Sequence, residues 1–174
     1  MIGREDTEES LAPDPDLRGR RFIADAMLGR LARWLRFLGV DTQYYADISD
    51  SRLIRIAIEQ ERVILTRDTR LVRTKKIGKY LLVTENEPLK QLVEVIRSLK
   101  LRGFDLLSRC VKCNGHLEKI GDKKEIMDAV PEYVFLQYND FFRCPDCGQI
   151  YWEGTHPKKF REKVRDIIEG ALDN

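Results

Sequence analysis

The chain is poor in histidine and cysteine and has no long apolar run. It contains two histidines and four cysteines among 174 residues. The absence of an apolar run of about 18 residues argues against a transmembrane helix. The amino terminus also lacks the segments of a signal peptide. We therefore expect a soluble protein of the cytoplasm, a compartment in which structural disulfides are rare.

A strong net charge is also absent, although local charge excesses are clear. The formal net charge is +2, and hydrophobic residues make up 43% of the chain, enough for a real core. Residues 1–20 contain six acids against three arginines, whereas residues 62–79 contain seven Lys or Arg and one acid, Asp68. Such a basic run attracts polyanions, but it is equally compatible with an ordinary solvated surface.

The cysteines form two C-x-x-C pairs, namely Cys110 with Cys113 and Cys144 with Cys147. Each pair can form a knuckle that directs two thiolates at one point, so the spacing predicts a zinc ribbon with a structural Zn²⁺. The interval between the pairs exceeds the usual 15–20 residues or so, which predicts an extra hairpin or loop. Two disulfides, free core thiols or a redox pair are the alternatives.

The residues around the cysteines fit this interpretation. Gly148 follows the second pair and Asn114-Gly115 the first, as suits metal knuckles. Residues 105–156 have few apolar runs, so zinc would supply folding energy that the segment lacks. With four thiolates available, neither His116 nor His156 is needed as a ligand.

Short apolar strands alternate with helical segments before the cysteines. This order predicts a three-layer α/β domain with a mostly parallel sheet. In the first helix, the periodicity predicts Met27 on the buried side and Arg36 on the exposed side. The predicted strands are 22–24, 42–45, 62–66 and 80–83, and the predicted helices start near 26, 51 and 89. The predicted domains are an acidic tail (1–20), the α/β domain (21–104), the zinc ribbon (105–156) and a C-terminal amphipathic helix (157–174).

Acids follow the predicted strands at the edge where α/β proteins bind ligands. Asp25 and Asp68 each follow a strand, and Asp50 lies in the loop between them. If the first and third strands are neighbours, these carboxylates could share one crevice. Three carboxylates in a small space favour a Mg²⁺ or Mn²⁺ site, with two ions able to hydrolyse a phosphodiester. Asp25 and Asp50 could instead be helix caps, and Asp68 could neutralise a neighbouring Arg.

Several motifs resemble those of the Mut-seven carboxy-terminal ribonuclease family, a PIN-like nuclease domain joined to a zinc ribbon. The likeness runs from about residue 21 to 160 and is carried by residues 22–36, 39–41, 50–53, 62–68, 109–110 and 151–156. The resemblance implies metal-dependent RNA cleavage, with Asp25, Asp50 and Asp68 as the acidic residues and the four cysteines as zinc ligands. It also suggests Asp47 or Glu85-Asn86 as a further polar contributor. The acidic tail lies outside the likeness.

Cations flank the acids and could hold an RNA backbone without reading its sequence. We predict substrate-binding roles for Arg30, Arg33 and Arg36 after Asp25, and for Arg67, Arg70 and Arg73 around Asp68. Aromatic residues of the ribbon could stack on unpaired bases, although most are better explained as the ribbon's own core.

Three functions are compatible with the sequence. The first is a metal-dependent ribonuclease in which the ribbon is structural or grips RNA. The second is a noncatalytic protein that binds RNA, a ribosome or another ribonucleoprotein, with the nuclease fold as a scaffold. The third is an interaction module for a protein partner. Because all three acidic positions are filled, the first is favoured.

Overall fold

The computed structural model describes residues 20–74 and 76–152, together with Gly154 and Glu162. The predicted acidic tail, apart from Arg20, and the predicted C-terminal helix, apart from Glu162, lie outside the described residues, as does His156. No helix in the described part of the chain has the length and apolar character needed to cross a bilayer. The cytoplasmic location stays a prediction.

A four-stranded parallel sheet forms the first unit. Its central strands are β1 and β3, so the first and third strands are neighbours. All five residues of β3 are buried, which explains its apolar centre, Val63 to Leu65, between the polar residues Arg62 and Thr66. The strands are β1 (Arg21–Ala24), β2 (Thr42–Tyr44), β3 (Arg62–Thr66) and β4 (Tyr80–Leu82), in the order β2-β1-β3-β4.

Helices cover both faces of this sheet. Phe22 and Ala24 of β1 belong to the core shared with α1 (Gly29–Phe37) and α3 (Pro88–Ser98). Ile23 points to the opposite face, where it packs in the core of α2 (Asp50–Glu59). Successive side chains of β1 therefore pack into two separate cores on opposite faces of the sheet. The predicted three-layer α/β architecture is confirmed.

The first helix differs from its prediction in phase. Residues Ala26–Leu28 form a 3₁₀ turn, with three residues per turn rather than 3.6, and α1 begins only at Gly29. Met27 is therefore 65% exposed, contrary to the prediction that it is buried. Arg36 follows Leu28 and Ala32 at intervals of four on the buried stripe, and it is only 4% exposed.

The ribbon consists of a three-stranded antiparallel sheet with a helical insertion. Its strands are β5 (Glu118–Lys119), β6 (Phe141–Arg143) and β7 (Ile150–Trp152). The interval between the knuckles holds a 3₁₀ turn, Lys123–Ile126, and α4 (Glu132–Gln137), so the predicted hairpin or loop is a helical segment. The small core of the ribbon consists of Ile126, Val130, Val134 and Phe141. Phe135, Tyr138 and Trp152 pack against that core, as predicted for most ribbon aromatics.

A buried polar network joins the ribbon to the parallel sheet. Asp41, just before β2, accepts hydrogen bonds from Arg62 Nη1 at 2.6 Å and from Asn114 Nδ2 at 2.8 Å. Arg109 Nη2 lies 3.3 Å from its other oxygen. Burial alone would raise the pKa of Asp41, but these hydrogen bonds and positive charges outweigh it and hold the pKa below its ordinary value. The first knuckle is thus fixed to the α/β unit through a partly buried carboxylate whose hydrogen bonds and charge are satisfied.

Candidate active site and metal centre

Asp25 and Asp68 follow the two central strands at the carboxyl edge of the sheet. Asp25 comes directly after β1, and Asp68 comes two residues after β3. Because β1 and β3 are hydrogen-bonded parallel neighbours, their carboxyl ends meet at the same edge. The first and third strands are therefore neighbours, as a crevice shared by the two acids requires.

The Asp25 carboxylate is buried and held by three hydrogen bonds. Its Oδ1 accepts from the Met27 amide at 2.8 Å. Its Oδ2 accepts from the Arg67 amide at 2.9 Å and from the Thr66 hydroxyl. A carboxylate offers about four lone-pair positions, so these bonds orient Asp25 and leave capacity for a further partner such as a metal ion.

Thr66 links Asp25 to Asp68. Its hydroxyl donates to Asp25 and accepts from the Asp68 amide at 3.0 Å. The Asp68 carboxylate is 28% exposed and accepts from the Arg70 amide at 2.7 Å, with Arg70 Nε 3.5 Å away. The Arg70 amide is the main cause that holds the pKa of Asp68 below its ordinary value. Asp68 is therefore an anion at neutral pH.

Asp50 stands apart from this pair. It is the first residue of α2 and is exposed, while Ser49 occupies the cap position. Among the described residues, the four cysteines alone form a group of three or more His, Cys, Asp or Glu with ligand atoms within 4.8 Å of one another. The three aspartates are therefore not preassembled around one point, and their role as joint ligands stays a prediction. Asp47, suggested as a further contributor, is also exposed.

Arg36 does not belong to the substrate-binding surface for which it was predicted. Its Nε donates to the Thr42 carbonyl at 2.7 Å, and its Nη1 donates to the carbonyls of Val111 at 3.1 Å and Lys112 at 2.8 Å. A guanidinium buried against backbone carbonyls cannot reach an RNA phosphate. Arg36 instead fastens the first cysteine knuckle to α1 and β2.

The other predicted cations divide between two surfaces. Arg30, Arg33 and Arg67 line a cavity of about 390 Å³ at the carboxyl edge of the sheet, on the side of α1 and α3. Arg70 and Arg73 are exposed on the turn after Asp68, and Arg70 pairs with that acid. Five of the six predicted arginines thus lie on surfaces near the acids, and their role in binding substrate stays a prediction.

Sequence reasoning missed Thr66 and several residues of the cavity. A threonine at the end of an otherwise apolar strand is the one local signal for Thr66. Tyr44 and Gln91 come from β2 and α3 and meet Arg67 only through the tertiary fold. Asn86, suggested as a further polar residue, accepts a hydrogen bond from Arg67 Nη2 and lines the same cavity.

The four cysteine sulfurs converge on one point in the ribbon. Cys110 Sγ lies 3.6 Å from Cys147 Sγ, and Cys113 Sγ lies 3.4 Å from Cys144 Sγ. These distances far exceed a disulfide bond of about 2.05 Å. They are close to the ~3.8 Å edge of a tetrahedron with metal–sulfur bonds of about 2.3 Å. The quartet can therefore hold a metal ion, as predicted.

The two knuckles share one backbone pattern. The amides of Cys110 and Cys144 donate to the carbonyls five residues later, at 2.7 and 3.0 Å. The amides of Asn114 and Gly148 donate hydrogen bonds to the carbonyls of Cys110 and Cys144, respectively. Asn114 and Gly148 both have positive φ, 75° and 71°. Glycine suits this conformation, whereas Asn114 adopts it and also uses its side chain to bind Asp41.

Polar contacts favour the thiolate of Cys110, whereas burial raises the pKa of both Cys113 and Cys144. Burial alone would raise the pKa of Cys110, but the Tyr151 hydroxyl at 3.1 Å and nearby amides lower it to about 7. Burial raises the pKa of Cys113 to about 12. A zinc ion bound here would reverse this second effect, because zinc deprotonates the thiols that coordinate it.

The fold and these sites define a three-layer α/β protein that carries a four-cysteine ribbon able to hold a metal ion. The model of the Mut7-C RNAse domain family matches residues 20–164. The chain belongs to this family, which confirms the resemblance seen in the sequence.

The chain is also similar to a curated human protein. The chain is 24% identical over 241 residues to the "Exonuclease mut-7 homolog" of Homo sapiens, and the match covers 94% of this chain and 28% of the human protein. The chain therefore spans less than a third of that relative. No solved structure gives a significant match.

Proposed function

We propose that this chain is a metal-dependent ribonuclease that hydrolyses RNA phosphodiester bonds with Mg²⁺ or Mn²⁺ held by Asp25, Asp50 and Asp68. The observation that carries the proposal is the connection of Asp25 and Asp68 through the Thr66 hydroxyl, at the ends of neighbouring strands. Carboxylate oxygens are the donors that both ions prefer. Membership of an RNase-domain family supports RNA as the substrate.

Each acid has a role suited to its surroundings. Asp25 is fixed by three hydrogen bonds, so it presents its remaining lone pair with little loss of freedom. Asp68 is ionised at neutral pH and can bind a cation without first losing a proton. Asp50 is exposed and would complete the ligand set from the start of α2. When bound, the divalent ion supplies an activated water and stabilises the departing oxygen.

The proposal is tested by cleavage of a labelled RNA by purified full chain with and without Mg²⁺ or Mn²⁺. We expect Asp68→Asn and Asp25→Asn to lower the rate by at least about 100-fold, because an amide does not replace a charged metal ligand. Asp128→Asn removes an exposed ribbon carboxylate and serves as the matched control. Equal cleavage by wild type and Asp68→Asn would identify a contaminating nuclease and refute the assignment.

A noncatalytic RNA-binding function is the second candidate. The observation that favours it is that the three aspartates do not converge in the way the four cysteines do. In this case wild type and Asp68→Asn bind RNA equally and no preparation cleaves it. A ribosome or another ribonucleoprotein would then be the partner that binds the arginines near Asp25 and Asp68.

We further infer that the ribbon holds a structural zinc ion. Four thiolates at tetrahedral spacing form the donor set that zinc favours, and all four positions are filled by protein, as in structural sites. Elemental analysis should find about one zinc per chain. Cys144→Ser should lose the metal and the ribbon's fold, whereas His116→Ala should retain both. A folded wild-type protein without zinc would contradict this assignment.

A further inference from the structure

Three arginines line the cavity at the carboxyl edge of the sheet. Arg30 and Arg33 lie one turn apart on α1, and Arg67 approaches from the end of β3. Within the described ranges, no Asp or Glu forms an ion pair with any of these three side chains. Arg62 and Arg109, by contrast, share Asp41. Guanidinium groups that have no ion-pair partner in the described part of the chain and that line one cavity favour an anionic ligand.

The opposite wall of the cavity is a fixed loop between β4 and α3. Glu94 accepts hydrogen bonds from the amides of Thr84 and Glu85 at 2.9 and 3.0 Å. Gln91, 5% exposed, donates to the carbonyls of Glu85 and Asn86 at 3.0 and 3.3 Å. The Asn86 side chain is thereby held where it accepts from Arg67. The cavity is consequently built from restrained parts rather than from a loose surface loop.

Apolar surface completes the cavity. Met27 is 65% exposed at its rim, and the Tyr44 ring forms part of its wall. The Tyr44 hydroxyl donates to the Ala26 carbonyl at 3.1 Å. A Cβ at Gly29 would lie 2.7 Å from that hydroxyl oxygen, so glycine allows the ring its place against α1. An aromatic ring beside an exposed thioether offers a flat nucleobase a surface on which to stack.

We propose that this cavity is a subsite for one unpaired nucleotide of a single-stranded RNA substrate. Arg30, Arg33 and Arg67 bind its phosphate, and Tyr44 and Met27 contact its base. The volume of about 390 Å³ lies within the ~300–1,000 Å³ typical of small-ligand sites. Bases in an A-form duplex are stacked and paired, so a duplex cannot insert one without being disrupted. The proposal rests on the nuclease function above and specifies its substrate as single-stranded RNA.

The role of the arginines is tested by measuring RNA binding rather than RNA cleavage, in buffer without Mg²⁺ or Mn²⁺. Fluorescence anisotropy is measured with a labelled RNA of about 12 nucleotides, alone and annealed to its complement. We expect Arg30→Gln/Arg33→Gln to bind the single strand about tenfold more weakly. The slope of log Kd against log salt should fall by about 0.7 for each phosphate that an arginine no longer neutralises.

Three further variants separate this result from general charge loss and test the contribution of the Tyr44 ring. Arg55→Gln/Arg102→Gln removes two exposed arginines outside the cavity and should leave both affinity and salt slope unchanged. Tyr44→Leu should weaken binding about tenfold without changing the salt slope, whereas Tyr44→Phe keeps the ring and should bind like wild type. Thermal melting of each variant confirms that it is folded.

The outcomes distinguish this proposal from the proposed function. If the cavity variants bind like wild type while Asp68→Asn still abolishes cleavage, the subsite is refuted and the nuclease stands. If the cavity variants lose binding but no preparation cleaves RNA, the subsite stands and the nuclease does not. Equal affinity of wild type for duplex and single strand overturns the single-strand assignment.

Discussion

Replacement of Thr66 by valine tests the connection between the two central acids. Thr66 is fully buried, and its hydroxyl forms hydrogen bonds with both the Asp25 carboxylate and the backbone amide of Asp68. Valine has nearly the same shape, so the change removes two hydrogen bonds without opening a cavity. Thr66 is a positioning residue, because we propose that it acts through the acids and does not contact the substrate.

The expected loss follows from those two bonds. A hydrogen bond to a charged group contributes about 1.5–3 kcal/mol, and the second, to a backbone amide, about 1 kcal/mol. Asp25 keeps its bonds from the amides of Met27 and Arg67, which limits the damage. We therefore expect a loss of about 2–3 kcal/mol in unfolding free energy. For a chain of this size, Tm should fall by about 5–10 °C.

Thermal unfolding at neutral pH measures the stability effect, and cleavage at varied Mn²⁺ measures the positioning effect. The Mn²⁺ concentration for half-maximal cleavage should rise about tenfold or more, as is usual when a residue that orients a metal ligand is lost. Thr66→Ser restores the hydroxyl and should recover most of both losses. A Thr66→Val variant with wild-type Tm and an unchanged Mn²⁺ requirement would refute the reasoning.

Two further predictions concern the junction between the α/β unit and the ribbon. Arg36→Met leaves three backbone carbonyls without the guanidinium that donates to them and should lower the unfolding free energy by about 3 kcal/mol, as measured by urea denaturation. The salt dependence of RNA binding should stay unchanged. A weaker salt dependence in this variant would show that Arg36 does bind the substrate. Asp41→Asn should also be destabilising at neutral pH, because it leaves Arg62 and Arg109 without their counter-ion. The pKa of Asp41 in the folded protein lies below its unfolded value of 3.8. The stabilisation that the ionised Asp41 provides is therefore complete above the unfolded pKa, and it is lost as the pH falls through the folded pKa. The Tm difference between wild type and Asp41→Asn should therefore shrink as the pH is lowered from 7 to 3 or so, and a constant difference would contradict the network.

Several features could be predicted from the sequence because their signals are local. The strands have short apolar runs, and Val63 to Leu65 indicates β3 because these apolar residues form its buried centre. The C-x-x-C spacing and the turn residues Asn114 and Gly148 define two knuckles whose backbone bonds need no distant partner. The helical insertion in the ribbon was missed, because its core is formed by single apolar residues spread over a polar segment.

Errors arose where long-range packing decides the outcome. Periodicity placed Met27 inside and Arg36 outside, but the 3₁₀ turn before α1 changed the phase. Burial of Arg36 also requires acceptors, and these come from Thr42 and from the ribbon carbonyls far along the chain. An isolated helix gives no information about such partners.

The sequence by itself determined the α/β order, the metal knuckles and the presence of acids and cations after the strands, because each depends on residues close together in the chain. Only the tertiary structure decided that β1 lies beside β3 and that Thr66 joins Asp25 to Asp68. It also decided that three arginines surround one cavity while a fourth is buried under the ribbon. The physical reason is that hydrogen bonds and charge compensation depend on distance in space, which the order of residues does not specify.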